Sequence, residues 1–242
     1  MATKQLAKKM GLIKRRAVVN NFAKRSPKED QKYSYLLIMD FESTCWQNDK
    51  YRTQEIIEFP AVLLNLSNGE IEDEFQFYIQ PQEEPVLSMF CKELTGISQQ
   101  QVDEGIPLAL CIKKFNHWLE KIEREKNIMF NNADFVPPGV KAATVVTWSD
   151  WDLSVCLLYE ARRKQIRTPY QLNNWIDLRS TYRKFYKRKP NGLNGALQDV
   201  GIQFEGREHS GLHDSRNTAH LAWRMVQDGC IMNITRSLNP VR

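Results

Sequence analysis

The chain has 242 residues, of which 42% are hydrophobic, 26% charged and 10% aromatic, proportions of a folded globular protein and too apolar for a disordered one. Its longest apolar runs, around Leu36–Met39 and Val155–Tyr159, last a few residues, far short of the ~20 that cross a bilayer as a helix. Five cysteines, an odd number with no Cys-x-x-Cys pair, exclude a disulfide framework and a structural zinc module and point to a reducing compartment.

The net charge of +5 is uneven: residues 1–32 hold ten Lys or Arg against Glu29 and Asp30, so residues 33–242, with 24 basic and 27 acidic groups, sum to −3. Residues 1–32 therefore read as a basic N-terminal arm and 33–242 as one folded domain. In the arm, Leu6, Met10, Ile13 and Ala17 share a helical face, with Lys8, Lys9, Lys14, Arg15 and Arg16 around the rest. An arm that touches nucleic acid or serves as a nuclear address, a mitochondrial presequence and an idle tail all fit this pattern. The expected compartment is intracellular, in nucleus or cytoplasm, with the mitochondrion as the alternative.

From Tyr33 the pattern turns to strands. Tyr35-Leu36-Leu37-Ile38-Met39 suits a central strand buried on both faces. Glu55–Asn65 and Ile71–Gln80 follow as strands, with the Asn68-Gly69 pair favouring a tight hairpin turn between them. Helical periodicity then predicts Leu87–Thr95, Ser98–Glu104 and Leu108–Lys126, and the prolines and glycine of 131–140 predict a loop. Ala143–Thr147 reads as a fourth strand, Asp152–Lys164 as a helix and Asn174–Asp177 as a fifth strand. Leu178–Tyr186, Gly192–Val200 and Asp214–Gln227 read as helices. The sum is an α/β fold with one mixed five-stranded sheet and helices on both faces.

Three clusters offer chemistry. Asp40 and Glu42 at the end of the first strand project from one face roughly 6.6 Å apart at ~3.3 Å per residue, a spacing that lets two carboxylates share hard cations; such acids also open solvated turns. Asp150 and Asp152 follow the fourth strand. Ser149-x-x-Asp152 has the spacing of a capping box, and either acid suits a functional role. His209 and Asp214 lie before the last helix, where Asp214 fits an N-cap and His209 a general base.

In chain order, Asp-x-Glu on the first strand, Asp after the fourth and His-x-x-x-x-Asp before the last helix form the acid set of the DEDDh exonuclease superfamily, which the chain resembles. Asp40-Phe41-Glu42-Ser43-Thr44-Cys45, Glu55-Ile56-Ile57-Glu58-Phe59-Pro60, Leu94-Thr95-Gly96-Ile97, Trp151-Asp152 and Asn174-Trp175-Ile176 look like the Eri-type 3′-to-5′ exoribonucleases, across nearly the whole chain. The resemblance selects Asp152 over Asp150, because the family's acid directly follows the tryptophan. It implies an RNase H-like fold, two Mg²⁺ or Mn²⁺ ions, single-stranded RNA 3′ ends as substrate and nucleoside 5′-monophosphates as product; no protein partner is indicated. It also implies longer relatives that carry a zinc-binding module beyond this domain.

By the same resemblance Asp40 bridges both ions, Glu42 and Asp214 hold the ion beside the attacking water, Asp152 acts on the second ion and His209 removes the water's proton. Where the family commonly has Asp-Asp after Gly-Leu, this chain has His213-Asp214, a departure that bears on metal preference more than on activity. Leu94 and Thr95 would border the terminal nucleotide, Ser43 and Thr44 would offer backbone amides, and Trp151 would stack a base or else pack the strand-helix corner. Arg179, Arg183, Lys184, Lys187, Arg188 and Lys189, interleaved with Tyr182, Phe185 and Tyr186, read as a solvated helix face over core aromatics, or as a track for an RNA backbone. The rival readings are a 3′-to-5′ DNA exonuclease and a catalytically silent RNA-binding adaptor.

Overall fold

A computed structural model describes residues 31–49, 52–130 and 136–238. The expected basic arm falls almost wholly outside these, as does the first half of the loop at 131–140. The chain runs β1 (Tyr35–Met39), β2 (Glu42–Ser43), β3 (Ile56–Asn65), β4 (Ile71–Tyr78), α1 (Met89–Thr95), α2 (Gln99–Asp103), α3 (Leu108–Lys126), β5 (Ile128–Phe130) and β6 (Lys141–Thr147). A π-helical turn (Asp152–Leu157) then leads directly into α4 (Leu158–Arg163). After a 3₁₀ turn (Tyr170–Asn173) come β7 (Asn174–Asp177), α5 (Leu178–Tyr186), α6 (Gly192–Asp199), α7 (Gly211–Gln227) and β8 (Arg236–Ser237).

The sheet runs β2-β3-β1-β6-β7-β8, with β4 beside β3 and β5 beside β6. β1 is antiparallel to β3 and parallel to β6, and β6 is parallel to β7. The five expected strands are thus β1, β3, β4, β6 and β7, extended by three short ones. β1 is buried along its length because alternate side chains feed two cores. Tyr35, Leu37 and Met39 pack with α3 and the π-helical turn, whereas Leu36 and Ile38 pack with α5, α6 and α7. Helices therefore cover both faces.

The β3–β4 hairpin corrects one expectation. Asn65 N–H donates to Glu70 O at 2.9 Å and Gly69 N–H to Asn65 O at 2.8 Å, closing a four-residue loop instead of a two-residue turn. Within that loop Gly69 takes positive φ while Asn68 does not, so the paired positive φ angles of a type I′ turn are absent. The loop lies against Trp223 of α7, whose indole occupies the space a Cβ on Gly69 would need.

A charged cluster ties the π-helical turn and α4 to the sheet. Lys164 Nζ lies 2.6 Å from both Glu55 Oε1 and Glu160 Oε1, and both glutamates are fully buried. Glu160 also accepts the Ile56 N–H at 2.7 Å, and Glu55 accepts the N–H groups of residues 82, 83 and 84. Each carboxylate thus has the partners that a buried charge requires. Removing the cation alone leaves two buried charges uncompensated, so Lys164→Met is expected to cost about 3 kcal/mol. Chemical denaturation of the two proteins measures this, and a variant within 0.5 kcal/mol of wild type, roughly the spread for ordinary surface changes, would count against it.

Candidate active site

β1 ends at Met39, and the chain breaks for two residues before β2 resumes pairing with β3. Phe41 is buried with its ring 4.6 Å from that of Phe59, so Asp40 and Glu42 on either side turn away from that core. In register, Met39 lies beside Thr147, and Thr147 beside Asp177. The carboxyl ends of β1, β6 and β7 therefore form one edge, the usual place for a site in an open α/β sheet.

Asp152 enters from β6. Its expected capping-box role is not what forms: no side chain caps this helix start, and Ser149 Oγ accepts the Trp151 N–H instead, at 3.4 Å. The Asp152 carboxylate is buried, accepts the Phe41 N–H at 2.9 Å and faces the Asp40 carboxyl closely enough to raise its pKa. Asp150 pairs with Arg236 at 3.2 Å, outside this cluster. The π-helical turn starting at Asp152 left no trace in the residue pattern; such turns are rare and recur at functional sites.

α7 brings the third segment, and it starts earlier than Asp214. Ser210 is the N-cap residue and Asp214 lies one turn in, its N–H bonded to Ser210 O at 2.8 Å. Asp214 Oδ2 accepts the His209 N–H at 2.9 Å, and His209 itself stands at φ 61°, a left-handed conformation that costs a non-glycine residue energy. One oxygen of Asp214, one of Glu42 and a ring nitrogen of His209 all lie within 4.8 Å of one another. His213 is elsewhere: its Nδ1 accepts the Arg207 N–H at 3.1 Å and its ring abuts Gly206, so it braces the loop before α7.

Three residues that build this arrangement were given no role by sequence reasoning. Glu58, buried on β3, accepts the N–H groups of Gly211 at 2.9 Å and Leu212 at 3.2 Å, and takes a hydrogen bond from Gln76 at 2.7 Å. It holds the N-terminus of α7, where a carboxylate also meets the positive end of the helix dipole. At Gly211 a Cβ would stand 2.4 Å from Asp40 O, so only glycine admits this approach. Arg207 donates to Glu93 O at 2.7 Å and lies across Gly96, linking the end of α1 to the His209 loop. Glu58 and Gly211 lie within motifs that carry the family resemblance, the only signal that pointed to them.

The expected nucleotide contacts fare unevenly. Thr44 is a correction: its N–H is already given to Glu55 O at 2.8 Å, and its hydroxyl accepts the Glu55 N–H at 2.9 Å. Thr95 is buried, its hydroxyl donating to Cys91 O and accepting from the Ile97 N–H. Ser43 is buried, and its hydroxyl accepts from Gln54. Leu94 is half-buried on the wall of a cavity of about 870 Å³ that also reaches Arg207 and His209. Trp151 is half-buried against the core that contains Leu153.

Burial and mutual repulsion dominate the electrostatics. Asp40 is pushed well above the carboxylate range, first by desolvation, then by Asp152, Asp214, Glu42 and Glu58. Glu42 is raised to about 9 by burial and then by Asp214, Glu58 and Asp152. Asp152 and Asp214 are raised to about 7, burial outweighing the backbone N–H bonds that favour the charged forms. Four crowded carboxylates with one imidazole form a hard, oxygen-rich donor set that suits a divalent cation of the Mg²⁺ or Mn²⁺ kind.

Residues 37–222 match the exonuclease family. ERI1 exoribonuclease 2 of Xenopus laevis is 62% identical over all of this chain and 36% of its own length, so the chain spans about a third of that relative. The 3'-5' exonuclease Snipper of Drosophila melanogaster is 46% identical over 87% of this chain and 75% of its own. Among solved structures, the nuclease domain of 3'hExo, a DEDDh family member bound to rAMP, has 36% identity and a TM-score of 0.75, covering 85% of this chain and 98% of that one. The chain belongs to the exonuclease family, in its DEDDh branch, with an RNase H-like α/β fold and the divalent-metal dependence of that family. No helix among the described residues is long and apolar enough to cross a membrane.

The raised pKa values set a pH dependence. Between the unfolded carboxylate values near 4 and the folded values of about 7 and 9, the native state retains protons that the unfolded chain releases. Stability contributed by these groups is therefore lost as pH rises through that window. A bound cation displaces the protons and reverses the loss, so saturating Mg²⁺ is expected to raise Tm by about 5 °C at alkaline pH and by almost nothing at pH 5. Thermal unfolding with Mg²⁺ or EDTA across this range tests the point; a stabilisation independent of pH would contradict it.

Proposed function

We propose that the protein is a 3′-to-5′ exoribonuclease that shortens single-stranded RNA from its 3′ end and releases nucleoside 5′-monophosphates, with two Mg²⁺ or Mn²⁺ ions as cofactors. The observation that carries this reading is the convergence of Asp40, Glu42, Asp152, Asp214 and His209 at one strand edge. Support comes from the exoribonuclease relatives and from a neighbour solved with rAMP. Asp40, Glu42, Asp152 and Asp214 would hold the cations, which when bound neutralise charge on the attacking and leaving oxygens of the scissile phosphate.

The remaining work falls to the chain. His209 takes the proton of the attacking water at a ring nitrogen and is the general base. The Asp214 carboxylate holds the His209 backbone and so fixes the imidazole beside Glu42. Leu94 offers an apolar wall to the terminal nucleotide, and Trp151 an aromatic edge beside Asp152. Ser43 borders the same segment as Glu42. The Thr44 amide, being spent on Glu55, plays no part, and Thr95 acts by shaping the end of α1.

A 5′-labelled RNA and the DNA of the same sequence, incubated with Mg²⁺, Mn²⁺ or EDTA, test the reading. Stepwise shortening from the 3′ end, faster on RNA and absent in EDTA or with Asp40→Ala, is expected. Faster loss of DNA would favour a DNA exonuclease, and no hydrolysis by wild type an RNA-binding adaptor. His209→Ala should lose ~10²- to 10⁴-fold in rate, whereas His213→Ala, which loosens only the loop, should stay within a few-fold. A larger loss at His213 would reverse the assignment.

A further inference from the structure

The basic stretch at α5 is built as a platform. Its aromatic side is core: Tyr182 is fully buried, Phe185 and Tyr186 pack against the same cluster, and the two tyrosine hydroxyls donate to Asp199 at 3.0 Å and Asp228 at 2.6 Å. The chain then turns at Lys187, which stands at φ 56° in the left-handed region that disfavours a long side chain. This turn folds residues 187–189 back beside the last turn of the helix. Together they line a concave basin of about 630 Å³ formed by Ser180, Arg183, Lys184, Lys187, Arg188 and Lys189, with no acid in its wall.

Among the described residues only Arg188 of these five cations has an ion-pair partner, Asp199 at 3.9 Å, and its guanidinium lies 5.1 Å from the Tyr186 ring centre. Five cations around one hollow repel one another, a cost that an anionic occupant removes. Residues 33–242 sum to −3 with these five cations included and to −8 without them, so away from the carboxylate site and its cations the rest of the domain offers a polyanion little attraction. The basin's position suits it to hold one. Asp177, the N-cap of α5, lies two strands from Met39, about 10 Å across the sheet, and Arg183 to Lys187 follow ~9 to 15 Å along the helix. None of the large exposed hydrophobic side chains lies on α5, so the surface has nothing to insert into a bilayer.

We propose that this basin binds the phosphodiester backbone of the RNA upstream of the nucleotide held at the carboxylates. The identity of the polyanion rests on the exoribonuclease reading. The test compares the full chain with its Arg183→Gln/Lys187→Gln/Lys189→Gln variant, whose exposed substitutions leave Tm unchanged. In EDTA, a fluorescent single-stranded RNA of about 20 nucleotides should bind the variant about 10-fold more weakly at low salt, with a log Kd against log salt slope shallower by about 2, at ~0.7 per lost phosphate contact. With Mg²⁺, hydrolysis of a trinucleotide, too short to reach the basin, should be equal in the two proteins.

Equal RNA affinity and slope would overturn the proposal. So would a loss confined to binding of phosphatidylserine vesicles, which would make the basin a membrane contact. If neither protein cleaves the trinucleotide while the difference in RNA affinity persists, the exoribonuclease reading fails and the backbone site stands.

Discussion

Carboxylates buried beside one another repel, and the architecture around this site is the means of holding them together despite that repulsion. Asp40 directly follows β1 and Glu42 opens β2, Asp152 comes from the start of the π-helical turn and Asp214 from α7. The last is the hardest to place, because a helix N-terminus carrying an acid must be pressed against a strand end that is already acidic. Two features allow it. Glu58 accepts the free N–H groups of Gly211 and Leu212, and Gly211 lacks the side chain that would collide with Asp40 O. Asp214 in the first turn of α7 also gains from the helix dipole, which offsets part of its desolvation.

The other segments are fixed with similar economy. β1, β6 and β7 run parallel and end in register, so one sheet edge presents two of the acids without any loop having to find its position. The helix that begins at Asp152 is anchored at its far end by Lys164 between Glu55 and Glu160. The same Glu55 holds residues 82–84 and binds Thr44 through its backbone. A rigid frame of this sort keeps charged side chains at working distances, where a loop-borne cluster would relax apart.

Much of this was legible before any coordinates. The continuous apolar run of β1 predicted burial on both faces, and the 3.6-residue period of Leu108–Lys126 reproduces α3 to the residue. The acids were found because their order along the chain resembles a known set, whereas their spacing alone left Asp150 and Asp152 equal. What escaped has physical reasons. β2, β5 and β8 have two or three residues, too few to show a period. The π-helical turn keeps ordinary helical residues. α7 starts three residues before the expected Asp214, whose N-cap fit marks the wrong boundary, because Gly211 is glycine for the sake of a close approach to Asp40, 171 positions earlier. Glu58 and Arg207 act only across such long separations, which local patterns do not encode.

The central claim is that the close docking of α7, through Gly211, assembles a cation site from acids that are otherwise far apart in the chain. Gly211→Ala tests it directly, since it removes no charge and no proposed ligand. Mn²⁺ titration followed by the paramagnetic signal of the free ion should show affinity reduced about 10-fold or more, the equivalent of ~1.4 kcal/mol, while circular dichroism shows the fold retained. A Gly211→Ala protein that binds Mn²⁺ as tightly as wild type would contradict the account.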